Sequence, residues 1–188
     1  MQRLFISLAL LLGLLGSASA GGRANNAPYV QSLSGWGVYY ARCIPAEAEG
    51  IKGTTTIYAV GKENDEKIDS YNWYSPNGVV LAWSPSAGKI AVVSMREGLA
   101  STDEGIELSF YLGGQLLRSY TAKELKALGV ETLFTSNGRR MDARVVEVEQ
   151  RPAGTNDYAF VVEINNEFPD KHQGRKLYFD IVTGELRK

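Results

Sequence analysis

The sequence predicts an all-β or β-rich α+β domain, an antiparallel sandwich or barrel of about ten strands with one short helix near residues 122–128. Three observations predict it. From Gly35 onward the chain is a succession of short runs rich in β-branched and aromatic residues. Turn signals such as Asn77-Gly78, Gly113-Gly114 and Asn137-Gly138 separate them. Several runs alternate apolar and polar residues with period two.

Taken in order, Trp36 to Ile44 is a first strand stopped by Pro45, and Thr54 to Val60 a second. Ile68 to Tyr74 is a third, closed by the turn Ser75-Pro76-Asn77-Gly78. Val79 to Ser84 and Lys89 to Met95 form a hairpin around Pro85-Ser86-Ala87-Gly88. Ile106 to Leu112 places Ile106, Leu108, Phe110 and Leu112 on one face, with Glu107, Ser109 and Tyr111 on the other, the pattern of a half-buried antiparallel strand. Gly113-Gly114 turns it into Gln115 to Tyr120. Thr121-Ala122-Lys123-Glu124 fits a capping box for a two-turn helix ending at Gly129. Glu131 to Thr135 and Met141 to Glu149 flank the Asn137-Gly138 turn, and Tyr158 to Ile164 and Lys176 to Val182 alternate again.

The residues before Gly35 have a different character. Met1-Gln2-Arg3, the apolar run Leu4 to Leu15 and Ala18-Ser19-Ala20 match a signal peptide over residues 1–20, with cleavage expected before Gly21. The run is shorter than the ~20 residues of a membrane span. An uncleaved anchor is the alternative. Residues 21–34, small and polar at first, read as a flexible leader, and residues 35–188 as a single β-rich domain. A periplasmic or secreted location follows, with no membrane span after cleavage.

Composition narrows the chemistry. Twenty Lys+Arg against 21 Asp+Glu give a net charge of −1, with no basic excess for nucleic acid. One Cys and one His supply too few ligands for an ordinary zinc site, and the expectation is that no metal or other cofactor is used. Neither Gly-x-x-x-x-Gly-Lys-Ser/Thr, Gly-x-Gly-x-x-Gly nor Gly-x-Ser-x-Gly occurs. His172 lies in a polar turn and reads as a solvated loop residue; Cys43 reads as a buried apolar residue, with pairing to another chain or a reactive thiol as the alternatives. Among the acids, Asp69 (amid Tyr71, Trp73 and Tyr74) and Asp180 (beside Tyr178) are the first to weigh as a catalytic pair.

The positive signal is aromatic. Trp36, Tyr39, Tyr71, Trp73 and Trp83 are the candidate ligand-binding residues, since aromatics in a row stack on sugar rings or hold a peptide, although the same residues also build cores. Two stretches bear a local resemblance to known families. Val80 to Val92, with Trp83-Ser84-Pro85 and Gly88-Lys89-Ile90-Ala91, resembles the strand–turn–strand of a propeller blade in the TolB and WD-repeat families, with one extra residue in the turn and Ser-Ala in place of Asp. It covers thirteen residues and implies a hairpin; no repeat supplies further blades. Ser34 to Arg42 is similar to the first strand of lipocalins, with Gly35-Trp36 lacking that family's spacer. The functional expectation is an exported, non-catalytic β domain that binds a protein, peptide or glycan in the envelope or outside the cell. The alternatives are a carrier barrel for a small apolar ligand and a small hydrolase using carboxylates.

Overall fold

The computed structural model describes residues 26–33, 37–48, 50–95, 104–135, 138–141, 143–150, 158–165, 172 and 174–187. Thirteen strands and one helix follow in chain order. They are β1 (Tyr29–Ser32), β2 (Tyr39–Pro45), β3 (Gly53–Ala59), β4 (Glu66–Tyr71), β5 (Val79–Ser84), β6 (Lys89–Met95), β7 (Ile106–Leu112), β8 (Gln115–Thr121), α1 (Ala122–Ala127), β9 (Thr132–Thr135), β10 (Gly138–Met141), β11 (Ala143–Gln150), β12 (Tyr158–Ile164) and β13 (Lys176–Asp180). Every pairing is antiparallel between sequence neighbours, giving sheets β1–β4, β5–β8 and β11–β13 and the two-stranded β9–β10. Among the described residues no sheet closes on itself, so the architecture is a sandwich and the carrier-barrel alternative lacks its closed cup.

The sheets stack in layers, and side-chain parity shows how. On β5 and β6, Val79, Leu81, Ile90 and Val92 join Tyr111 in a core with Ala41, Cys43, Ile57, Tyr71 and Tyr74 of the first-sheet side. The alternate residues Ala82, Ala91 and Val93, with Leu108, Phe110 and Tyr120, join Phe160, Val162, Leu177 and Phe179 of the third sheet and Leu125 of the helix. The middle sheet is therefore covered on both faces, which is why β5 and β6 read as nearly unbroken apolar runs.

β7 corrects the half-buried expectation. Its polar-looking face is buried as well: Glu107 is 2% exposed, Ser109 is buried with its Oγ 2.8 Å from Ser119 Oγ, and Tyr111 packs toward the first sheet. Alternation implies solvent only where nothing covers the second face. Ile106, at the strand start, is the exposed one.

The helix forms as its capping box dictates: the Glu124 amide donates to Thr121 Oγ1 (3.2 Å) and the Thr121 amide to Glu124 Oε2 (2.8 Å). Gly129, at φ 92°, reverses the chain. Six residues cannot hold a helix alone, and Ala122 and Leu125 dock it on the core.

Other boundaries differ from expectation. Strand β1 lies inside the segment expected to be a leader; Tyr29 pairs with Cys43, and the Asn26 side-chain amide bonds the Gly50 carbonyl at 2.8 Å. The third strand ends at Tyr71, before Trp73. The run from Met141 to Glu149 divides between β10 and β11. The signal-peptide expectation and Trp36 lie outside the described residues.

Candidate functional site

The first sheet has one face against the middle sheet and one face outward, and register sorts its side chains between them. Inward go Tyr39, Ala41 and Cys43 of β2, Thr55 and Ile57 of β3, and Asp69 and Tyr71 of β4, with Cys43, Thr55 and Tyr71 in one cross-strand row.

Four of the five aromatic candidates belong to this inner side. Tyr39 stacks on Trp83 of β5 at 6.0 Å with planes 6° apart, joining two sheets. Tyr71 and Trp73 lie 5.2 Å apart, and both meet Tyr111 of the middle sheet at 5.2 and 5.1 Å. Tyr71 is 4% exposed, and Tyr39, Trp73 and Trp83 are half-buried. They contribute to packing between layers rather than forming an exposed row. The Trp73 carbonyl accepts from Thr55 Oγ1 at 2.9 Å, which carries the chain past the end of β4.

Two polar atoms in this cluster, the Tyr71 hydroxyl and Trp73 Nε1, are buried without a hydrogen-bond partner. Burial, then the neighbouring charge of Asp69, push the Tyr71 pKa up to about 12; the Gly114 amide, which faces the hydroxyl outside good hydrogen-bond geometry, acts the other way. Asp69 is pushed above the usual carboxylate range by burial, against the pull of Lys89.

The outer face differs in kind. Of seven exposed large apolar side chains among the described residues, five are on it or continue its rows: Val30, Val38, Ile44, Val60 and Ile68. Val38 and Val60 extend the β2 and β3 rows by one residue, linked by the Val60 amide to the Val38 carbonyl at 2.8 Å. Between them Tyr40 and Tyr58, directly paired in register, stack at 5.2 Å with planes 18° apart. The Tyr40 hydroxyl donates to Asp65 Oδ2 at 2.5 Å, which raises its pKa. Arg42 pairs with Val30 and Thr56 at the centre, and Lys67 with Tyr58 at the side; both are exposed and neither has a carboxylate partner among the described residues. An antiparallel sheet with one wet face usually makes that face polar. This one keeps three valines, two isoleucines and a tyrosine pair there.

The two acids weighed for hydrolysis do not face one another. Asp69 is on the first sheet and Asp180 on the third, on opposite sides of the middle sheet. Burial acts to raise Asp180, but Arg187 at 2.7 Å and the amides of Val182 and Thr183 bring it below the usual range. Cys43 is buried, with the Thr55 hydroxyl 3.6 Å from its sulfur, and burial raises its pKa. His172 is not a free loop side chain. It is half-buried against Gly129, where an added Cβ would come within 2.6 Å of its ring.

Sequence reasoning missed Tyr40 and Tyr58 as site residues. In Val38-Tyr39-Tyr40-Ala41 both parities are apolar, so period two alone does not say which face is covered. The cue was Arg42 and Thr56, which share the parity of Tyr40 and Tyr58 and mark the wet side. Compared with known proteins, the chain matches no family model, no curated protein and no solved structure.

Proposed function

We propose that this chain is an exported, non-catalytic β domain that binds a protein, peptide or glycan, and that the outer face of the first sheet is its contact surface. The observation that carries the reading is the outward aliphatic and tyrosine surface around Arg42, which has no carboxylate partner among the described residues. Contiguous apolar surface on a folded domain marks an interaction site, and tyrosine and arginine are the residues enriched where protein interfaces are most buried. A polypeptide suits this face better than a glycan: the two rings stack on each other instead of offering open faces to a sugar, and Arg42 and Lys67 favour a partner presenting carboxylates amid apolar side chains. Export rests on the amino-terminal sequence, and the mature protein is expected to begin at Gly21.

The test replaces Tyr58 with a photo-crosslinking phenylalanine analogue in the native host. Irradiation should yield one discrete protein adduct in the exported fraction, and adding Arg42→Glu should abolish it while the protein stays folded. An adduct unchanged by Arg42→Glu, or none at Tyr58 when Tyr111 serves as the buried control, would sink the proposal. Amino-terminal sequencing of the exported protein checks the Gly21 start.

A further inference from the structure

The interface between the first and middle sheets holds a second set of groups, independent of the outer face. Tyr71 and Trp73 each carry a buried hydrogen with no acceptor, on rings 5.2 Å apart. A buried donor left without an acceptor is costly, so two in one cluster need an explanation. Beside them, one step along the same face of β4, is the carboxyl of Asp69. Across from it is the Gly113-Gly114 turn of the β7–β8 hairpin. Gly113, at φ 55°, passes under the Lys89 side chain, whose Nζ would lie 2.9 Å from an added Cβ. Gly114, at φ 82°, presents its bare Cα side to Asp69, whose Oδ1 would be 3.6 Å from an added Cβ. Asp69 and Lys89 feel each other's charge yet form no ion pair.

The donor set selects the ligand class. Tyr71 and Trp73 need acceptors, Lys89 is another donor, and Asp69 at neutral pH only accepts. A carboxylate or phosphate would satisfy the donors but place a negative charge against Asp69. An ammonium would satisfy Asp69 but nothing else. A vicinal diol does both: its oxygens accept from the phenol, the indole and the ammonium, while its hydroxyl hydrogens donate to Asp69. We infer that the Asp69–Tyr71–Trp73–Lys89 cluster is a binding site for a neutral sugar, entered from the Lys89 side, where the exposed lysine chain can swing aside.

Trp73 is its own reporter. Purified protein labelled with nitrogen-15 is titrated with glucose, N-acetylglucosamine, their β-1,4-linked trimers and acetate, following the indole N–H signals; Trp73→Phe assigns the one of interest. At least one sugar should move the Trp73 signal saturably. Tyr71→Phe, which removes a single oxygen and keeps the ring, should weaken that response by about tenfold, as should Asp69→Ala, with unchanged circular dichroism. A response to acetate alone overturns the inference in favour of an anion site. A Trp73 indole that shows contact with a long-lived water and answers to no sugar reduces the cluster to a hydration site. A sugar response that survives both substitutions puts the sugar elsewhere. Tyr58→Ala on the outer face should leave the titration unchanged, so this result and the photo-crosslinking result stand or fall separately.

Discussion

Ile57 and Tyr58 are adjacent on β3 and live in different media. Ile57 is buried beneath the middle sheet, paired between Ala41 and Asp69; Tyr58 faces outward, paired between Tyr40 and Lys67. Both are apolar enough to belong to a core, and only one is in it. Along the middle sheet the same alternation leads from one covered face to another, so both parities are buried. Apolar character in a sheet protein thus states that a face is covered in the functioning molecule; it does not state by what. The inner face of the first sheet is covered by this chain. The outer face carries the residue types of a covered face with nothing among the described residues over it, which is the physical content of the proposed contact surface.

The comparison makes its largest prediction at this pair. Ile57→Ala should cost about 2–5 kcal/mol, because deleting three carbons at a fully buried position loses transfer energy and leaves a cavity. Tyr58→Ala should cost no more than about 1 kcal/mol, since the ring is packed mainly against Tyr40, its half-buried neighbour on the outward face. Urea titration of both variants measures the contrast. Equal losses would mean that the outer tyrosines are structural and that the face is not held free for a partner.

A smaller effect is expected at Cys43, which shares the inner face. Cys43→Ser keeps the volume but buries a hydroxyl more demanding than a thiol, at an expected cost of about 1–3 kcal/mol, lowered in so far as Thr55 or a neighbouring carbonyl takes the new donor. Cys43→Ala should be milder. If serine is tolerated better than alanine, the inner face near Cys43 is wetter than its burial indicates.

How far could the sequence foresee this? Strand existence was legible almost everywhere, because β-branched runs bounded by Asn-Gly, Gly-Gly and Ser-Pro leave few alternatives; β5, β6, β7 and β12 have the expected ends to the residue. The capping box was legible because it is local. The layering was not. Glu107 and Ser109 looked wet by period two, and only a third layer explains their burial. Strand β1 was hidden because Tyr29-Val30-Gln31-Ser32 is short and follows a polar stretch; its pairing to β2 is a tertiary fact. Of the named aromatic candidates, Tyr39 and Tyr71 lie on the inner face of the sheet whose outer face is the proposed contact surface, and Trp83 lies opposite on β5. Choosing Tyr40 over Tyr39 requires knowing which side the middle sheet takes.

The smallest predicted effects are the pH responses of Asp69 and Asp180, and they have opposite signs. Asp180 is held below the ordinary carboxylate range, so its stabilising contribution is present above the unfolded pKa of about 3.9 and is lost as pH falls through the folded value. Asp69 is held above that range, so the stability tied to its neutral form is present below about pH 3.9 and is lost as pH rises through its folded value. Asp180→Asn should therefore lower the thermal midpoint most at neutral pH and least in acid. Asp69→Asn should raise it slightly at neutral pH, where the wild-type carboxylate is charged in a desolvated place, and leave it unchanged in acid. Both changes are damped by solvent, because neither group is fully enclosed. Melting curves from pH 3 to 8 separate the two. A loss of stability at neutral pH in Asp69→Asn would show instead that Lys89 outweighs desolvation at this site. The inter-sheet cluster would then be a closed ion pair in solution, with Lys89 drawn onto Asp69 and unable to move aside for a ligand.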